Sequence, residues 1–201
     1  MAILTGIDNS PNMIEKAKTS YPNNKWIVAD VSKYAFSEKY DVVFSKAAIQ
    51  WIPDHENLFN QLFKLINRGG ILAIQVPRFN EMPLSNAIQK ILSKEEWKEF
   101  KKQCSEIFTY HDYKYYYDLI NKDYKSEDLW QTEYVHILES QYSIIEWMRS
   151  TGMKPYLDLR NDEEKPQFED EVLLEIKYVY PVQNDGKVLF PFKRLFIIGY
   201  K

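Results

Sequence analysis

The sequence predicts an α/β fold built on a largely parallel sheet, and three observations in residues 1–77 support this. Short apolar stretches alternate there with helical patterns. The first two stretches each lead into an aspartate, Asp8 and Asp30. Apart from Asp41, residues 41–44 and 71–74 are continuously apolar, which is typical of strands buried on both faces of a parallel sheet.

The composition excludes several classes of protein. With 201 residues, 45% of them hydrophobic, the chain is long enough for one domain with a core. A net charge of −3 argues against a nucleic-acid partner. No apolar run approaches the roughly 20 residues of a membrane span. The single Cys104 excludes an internal disulfide, and no signal peptide precedes Ile3, so we expect a cytoplasmic protein.

The cofactor-side half is expected to comprise residues 1–77. Strands are predicted at 3–8, 25–29, 41–45 and 71–76. Pro11 suits a first helical turn, capped by Ser10 or Asn9. Asp54 is expected to cap a second helix that ends at residues 67–70, where glycine can adopt the left-handed C-cap conformation. Its apolar residues recur at helical spacing: Leu58, Leu62, Leu65 and Ile66.

The remaining chain is expected to complete one domain over residues 1–201. Residues 78–126 read as a helical insertion over the sheet edge. Pro77 and Pro83 break the pattern there, before a charged helix at 94–104 and a polar-aromatic run at 110–117. The substrate-side half, 127–201, is predicted to hold a strand at 130–138, helices at 143–149 and 163–180, a turn at 184–186 and a last strand at 195–200.

Candidate ligand-binding residues follow the predicted strands. Asp8 can hold a ribose diol; the alternatives are a helix cap and a solvated strand end. Asp30 can accept the amino group of adenine, with the next N–H, that of Val31, donating to the ring; the alternative is an ordinary turn aspartate. Two successive strands that each lead into an aspartate place both carboxylates at the edge where open α/β sheets bind ligands.

The third candidate element runs from residue 44 to residue 55. Gln50, Trp51 and His55 would pass beside the reactive end of a cofactor. Trp51 is otherwise a core aromatic, and His55 otherwise caps or packs at a helix start. No metal site is predicted, because the three histidines lie far apart in sequence and no carboxylate cluster has ligand spacing.

These motifs resemble the class I S-adenosylmethionine-dependent methyltransferases, and within them the branch that methylates small tricarboxylates such as trans-aconitate. The resemblance covers essentially the whole chain. It is carried by residues 5–14, 28–31, 48–55, 70–77, 116–120, 146–147, 151–156 and 192–197. It implies a Rossmann-like sheet with helical insertions and S-adenosylmethionine as cofactor. The implied cofactor contacts are Asp8, Asn9, Met13, Asp30, Val31, Ser45, Gln50 and Trp51.

The resemblance also implies methyl transfer to a carboxylate of the substrate. That group is already ionised at neutral pH, so no general base is needed. His55, Tyr116 and Lys154 are the predicted substrate-side residues, chosen from a wider set that includes Arg149, Arg194, Tyr115 and Tyr117. Lys154 stands where the family commonly has arginine, and Ser45 and Lys46 replace small or amide residues, which leaves substrate choice open.

The family has a further segment ahead of these motifs, comprising the first, central strand and a glycine-rich cofactor loop. We therefore expect this sheet to lack its central strand, between the strands ending at Asp8 and Ser45. Either those strands pair directly, or a partner or second copy supplies the strand, or the sequence is a fragment. An inactive remnant and a carboxylate-binding protein of the same fold are the alternatives to an active enzyme.

Overall fold

The computed structural model describes residues 3–104 and 107–201, which form two compact units, 1–40 and 41–201. The first unit is a βαβ motif of β1 (Thr5–Asp8), α1 (Pro11–Ser20) and β2 (Lys25–Val28). The two strands pair in parallel, with Asp8 opposite Val28, so the predicted parallel arrangement is confirmed. Ser10 caps α1, since its side chain accepts the Met13 N–H.

The second unit contains a four-stranded sheet in the order β3-β4-β6-β5. Its strands are β3 (Tyr40–Lys46), β4 (Ile66–Pro77), β5 (Ser126–Leu138) and β6 (Val188–Tyr200). Since β6 is antiparallel to both β4 and β5, these two run parallel to each other. The strand β3 also runs parallel to β4. The Ala47 N–H, just after β3, donates to the Gln75 carbonyl near the end of β4, and Gly70, near the start of β4, lies against the Asp41 carbonyl near the start of β3.

Helices connect and cover these strands. They are α2 (His55–Leu65), α3 (Pro83–Ile91), α4 (Lys98–Cys104), α5 (Tyr113–Ile120), α6 (Gln141–Arg149), α7 (Lys154–Asp158) and α8 (Glu164–Val179). Short 3-10 helices lie at Ile49–Trp51, Phe79–Glu81 and Glu95–Trp97. The core lies where α3, α6 and α8 pack with the first half of β6, around fully buried Ile88, Ile144, Phe168 and Phe190.

Two sequence predictions about this unit are wrong, and one helix was not predicted. The helix α2 ends at Leu65 rather than at the glycines, and Gly69, with φ of 82°, lies inside β4, where its N–H bonds Lys201 O. Pro83 occupies the first turn of α3, a helix that is not among the sequence predictions, and its missing N–H costs nothing there. The strand β3 is not buried on both faces, because Val42 and Phe44 are exposed.

The strands are divided between two sheets, β1-β2 and β3-β4-β6-β5. The alternative in which the strands ending at Asp8 and Ser45 pair directly is therefore not realised among the described residues. The remaining predicted elements are present with shifted ends: β5 and β6 begin earlier than expected, and the charged helix is split into a 3-10 turn and α4.

Candidate active site

Asp8 lies at the exposed carboxyl end of β1. Its Oδ1 accepts the Ser10 N–H at 2.7 Å, and we find no partner for its Oδ2 within the described chain. The helix-cap alternative is wrong for Asp8, since Ser10 performs that role. One carboxylate oxygen is thus available to a hydroxyl donor. Asn9 and Met13 lie beside it and are exposed.

Asp30 follows β2 by two residues and is held by its own turn. Its Oδ1 accepts the N–H and hydroxyl of Ser32, and its Oδ2 lies 3.1 Å from Lys33 Nζ. The Ser32 hydroxyl above all, then Lys33, lowers the pKa of Asp30 below its ordinary value. Three of the roughly four acceptor directions of the carboxylate are used, which leaves one. The Val31 N–H has no acceptor among the residues described.

The backbone turns sharply at the end of β3. Ala47 adopts φ of 51°, and it is the one non-glycine residue with a positive φ in the described part of the chain. This left-handed conformation costs an L-residue roughly 1–2 kcal/mol. It persists because hydrogen bonds fix both sides: Ala47 N–H donates to Gln75 O, and Ala47 O accepts the Gln50 side-chain amide at 2.8 Å. Ser45, half-buried, precedes this turn.

Gln50 and Trp51 lie in the 3-10 turn that follows. Gln50 is buried, its carbonyl oxygen accepts the Thr109 N–H, and its side-chain Oε1 has no partner among the described atoms. Trp51 is 46% exposed and lies against Phe108, with ring centroids 4.6 Å apart. A buried amide acceptor without a donor, beside an exposed indole, is suited to a ligand that brings a donor and an apolar surface.

His55 and Tyr116 form a buried pair. Since Ile49 O can only accept, His55 Nε2 must carry the proton in their 2.8 Å contact. In the neutral ring Nδ1 is then the acceptor, and the Tyr116 hydroxyl donates to it at 3.0 Å. Burial, foremost, lowers the pKa of His55, so the ring is neutral at neutral pH. Both ring nitrogens are engaged, and His55 is not a free general base.

A cationic group lies next to this pair. Arg78, which directly follows β4, is buried and pairs with Glu81, while Nη1 donates to the His111 carbonyl. His111 in turn stacks on Tyr115 at 3.7 Å and contacts His55 edge-on at 5.0 Å. Burial raises the pKa of Tyr116, whereas the Arg78 charge acts against that rise. Arg78 therefore fixes the segment that carries His111 to Tyr116.

Lys154 does not join this cluster. It is exposed on α7, and its ammonium pairs with Asp158 one helical turn later. The groove beside it also contains Arg149, which grips Glu169 through two nitrogens. Cations and carboxylates neutralise each other there, so the groove offers no excess positive charge to a polyanion.

The structure thus brings together Gln50, Trp51, His55 and Tyr116 and leaves Lys154 apart, while Asp8 and Asp30 belong to the first unit. Sequence reasoning missed Arg78, although an arginine directly after a buried strand is the same signal that singled out the two aspartates. Within residues 3–104 and 107–201 no group of His, Cys, Asp or Glu side chains can hold a metal ion. No helix in those ranges is long and apolar enough to cross a membrane.

Comparison with known proteins adds two kinds of finding. Residues 1–74 match the family model described as a methyltransferase domain. The whole chain is 34% identical over 203 residues to a trans-aconitate 2-methyltransferase of Rhizobium rhizogenes, of which it covers 79%. It is 32% identical over 200 residues to the trans-aconitate 2-methyltransferase of Azoarcus sp. and covers 78% of that protein. It is 31% identical over 198 residues to the enzyme of the same name from Escherichia coli O157:H7, with 98% of this chain and 77% of that protein matched.

Solved structures agree on the fold at lower identity. The YcgJ protein of a Bacillus aligns with 99% of this chain and 82% of its own, with a TM-score of 0.59 at 11% identity. Phosphoethanolamine N-methyltransferase 2 of Haemonchus contortus, in complex with S-adenosyl-L-methionine, aligns with 98% of this chain and 43% of its own, with a TM-score of 0.54 at 17% identity. The α/β methyltransferase fold is therefore confirmed.

Proposed function

We propose that this chain, which belongs to the trans-aconitate 2-methyltransferase family, transfers a methyl group from S-adenosylmethionine to a carboxylate of a small tricarboxylic acid such as trans-aconitate. The relatives at 31–34% identity support the substrate class. One observation favours a carboxylate acceptor: both nitrogens of the buried, neutral His55 are engaged. A hydroxyl or ammonium acceptor would need a base to remove its proton, whereas a carboxylate is already ionised.

The first unit supplies the cofactor contacts of this proposal. S-adenosylmethionine supplies a methyl group made electrophilic by its sulfonium sulfur. Asp8 accepts the ribose hydroxyls through its unoccupied Oδ2, flanked by Asn9 and Met13. Asp30 uses its one remaining acceptor direction for the adenine amino group, and the Val31 N–H donates to the ring. The residues fit the cofactor in this respect, because the free oxygen and the free N–H complement a diol and a ring nitrogen.

In the second unit, taken by itself, Ser45 and Gln50 would provide polar contacts to a ligand, and Trp51 would provide an apolar wall. Tyr116 donates its single hydroxyl proton to His55 Nδ1, so its oxygen would reach the ionised substrate carboxylate through a bridging water that donates to both. Positioning and water exclusion supply the rate enhancement, since methyl transfer to an ionised oxygen has no proton to move.

Lys154 remains a predicted substrate contact. Its ammonium must leave Asp158 to reach an anion, and an exposed pair of this kind is worth at most about 1 kcal/mol. The variant Lys154→Gln is expected to raise KM for the tricarboxylate without changing S-adenosylmethionine affinity. An unchanged KM would remove Lys154 from the proposal and leave the activity itself standing.

The activity is tested by incubating the purified chain with S-adenosylmethionine and trans-aconitate and analysing the products by mass spectrometry. The expected product is a monomethyl ester, formed together with S-adenosylhomocysteine. The neutral trimethyl ester of trans-aconitate serves as the control and is expected to accept no methyl group. Cofactor binding measured by calorimetry without any ester formation would contradict the substrate assignment.

A further inference from the structure

A second cavity, of about 400 Å³, is lined by residues of all four strands of the second sheet. It shares no lining residue with the cluster of Gln50, Trp51, His55 and Tyr116. Its walls are mostly apolar or aromatic, formed by side chains of all four strands: Phe44, Ala73, Ile74, Tyr134, Phe196 and Ile198. Four polar residues complete the lining: Lys46, Gln75, His136 and Arg194. We call these four residues the polar quartet.

The polar quartet lies at one end of the sheet. Lys46 is the last residue of β3, Gln75 is two residues from the end of β4, and His136 is two residues from the end of β5. Arg194 is opposite Pro77 on β4 and Thr132 on β5, so β6 brings it to the same end. Since β3, β4 and β5 run in one direction, this is the carboxyl edge, where open α/β sheets bind ligands.

The hydrogen bonds of the quartet are incomplete. Arg194 Nη1 donates to Gln75 Oε1 at 3.2 Å, which orients the amide and leaves its Nε2 as a donor without a partner in the described structure. Gln75 is 4% exposed, so this unmet donor is buried rather than solvated. His136 Nε2 is likewise buried and unpartnered. Each such atom costs about 1–3 kcal/mol unless a ligand satisfies it.

The charges in the cavity are also unbalanced. Neither Lys46 nor Arg194 forms an ion pair with a described carboxylate, and no acidic side chain is among the residues that line the cavity. The Arg194 guanidinium lies over Tyr134 and Phe192, which fixes it without neutralising it. Burial first, and then the Arg194 charge, lowers the pKa of His136, so its ring is neutral at neutral pH. The positive charge of the quartet therefore lies on Lys46 and Arg194.

We propose that this cavity binds the carboxylate of a small organic acid with a flat apolar body. Lys46 and Arg194 would supply the opposite charges, and Gln75 Nε2 would supply a hydrogen-bond donor. Phe44, Tyr134 and Phe196 would contact the apolar body. This site is additional to the methyl-transfer site, and the proposal stands whether or not the chain methylates trans-aconitate.

Benzoate is the probe, and binding is measured by calorimetry and by saturation-transfer NMR without S-adenosylmethionine. Benzyl alcohol, which has the same ring without the charge, is expected to bind at least about tenfold more weakly. Lys46→Gln and Arg194→Gln are each expected to weaken benzoate binding by about tenfold. Lys177→Gln, an exposed charge on α8 outside the cavity, is the matched control and leaves the affinity unchanged.

The proposal is overturned by any of four results: no benzoate binding at millimolar concentration, equal binding of benzyl alcohol, equal binding by the Lys46 and Arg194 variants, or a stable dimer that buries this face. Sedimentation velocity tests the last. Lys46 is exposed, so Lys46→Gln does not threaten folding, and Arg194→Lys, which keeps the charge, is expected to recover part of the affinity lost in Arg194→Gln.

Discussion

The Tyr116 hydroxyl donates to His55 Nδ1 at 3.0 Å, although 61 residues separate the two along the chain. This bond joins the start of α2 to α5 and fixes the neutral imidazole with Nε2 protonated. Tyr116→Phe removes the donor and leaves a buried Nδ1 unpaired. We expect a loss of about 1–3 kcal/mol in the free energy of unfolding, measured by urea denaturation.

The control for this change lies on the same helix. Tyr113 is half-exposed, and its hydroxyl has no partner among the described residues, so Tyr113→Phe is expected to leave stability within about 0.5 kcal/mol of the parent. Equal effects of the two variants would show that the Tyr116 hydroxyl contributes nothing to the pair.

Stability is expected to fall on mild acidification. Burial is the main cause that lowers the pKa of His55, His111 and His136. Each folded histidine therefore binds protons less readily than the unfolded one, whose pKa is near 6.5. The contribution of these neutral histidines to the free energy of unfolding is complete above about pH 6.5. It is lost as the pH falls from there towards the pKa values of the folded state.

Urea denaturation at a series of pH values checks this expectation. In the variant His55→Gln, the free energy of unfolding should decline less steeply between about pH 6.5 and 5. The substitution also has its own cost in stability. Carboxylates with lowered pKa, such as Asp30 and Glu171, lose their contribution in a lower interval, below about pH 4.5, and do not obscure the result. A flat profile across the upper interval would contradict the prediction.

Ala47→Gly is expected to stabilise the protein. The change removes the Cβ that makes φ of 51° unfavourable, a gain of roughly 1–2 kcal/mol, from which about 0.5–1 kcal/mol of added chain entropy is subtracted. The net gain, between about 0 and 1.5 kcal/mol, is measured by thermal or urea denaturation. Ala48→Gly, at φ of −122°, has only the entropic cost and is expected to destabilise.

Asp8→Asn tests the cofactor contact. Asparagine retains an oxygen for the Ser10 N–H but replaces the free carboxylate oxygen with a donor, so we expect S-adenosylmethionine affinity to fall by about tenfold or more, with little change in stability. Calorimetric titration measures the affinity. Glu15→Gln, which removes an exposed charge from the adjacent α1, should bind the cofactor like the parent.

Local patterns predicted the parts of this fold that depend on neighbouring residues. The parallel pairing of β1 and β2 and the caps at Ser10 and Asp54 follow from strand spacing and from residues within one turn of each helix start. The helix α3 is not predicted, because a proline such as Pro83 can end one element or begin the next, and the sequence does not say which.

The candidate site was predictable only in part. Its aspartates and the residues 50–55 could be located because they follow strands. The pairing of His55 with Tyr116 and that of Gln75 with Arg194 join residues 61 and 119 positions apart, so no local pattern encodes them. The prediction for Lys154 rests on its charge and on its place in the family pattern, and Asp158, four residues later, is a partner that helical spacing also indicates.

The last strand of the chain lies in the middle of its sheet, since β6 pairs with β4 on one side and β5 on the other. During synthesis β4 and β5 therefore remain without their shared neighbour until the thirteen residues of β6 have left the ribosome. The sheet of the second unit is completed only once β6 has been synthesised, and loss of residues 188–200 removes its centre rather than trimming an edge.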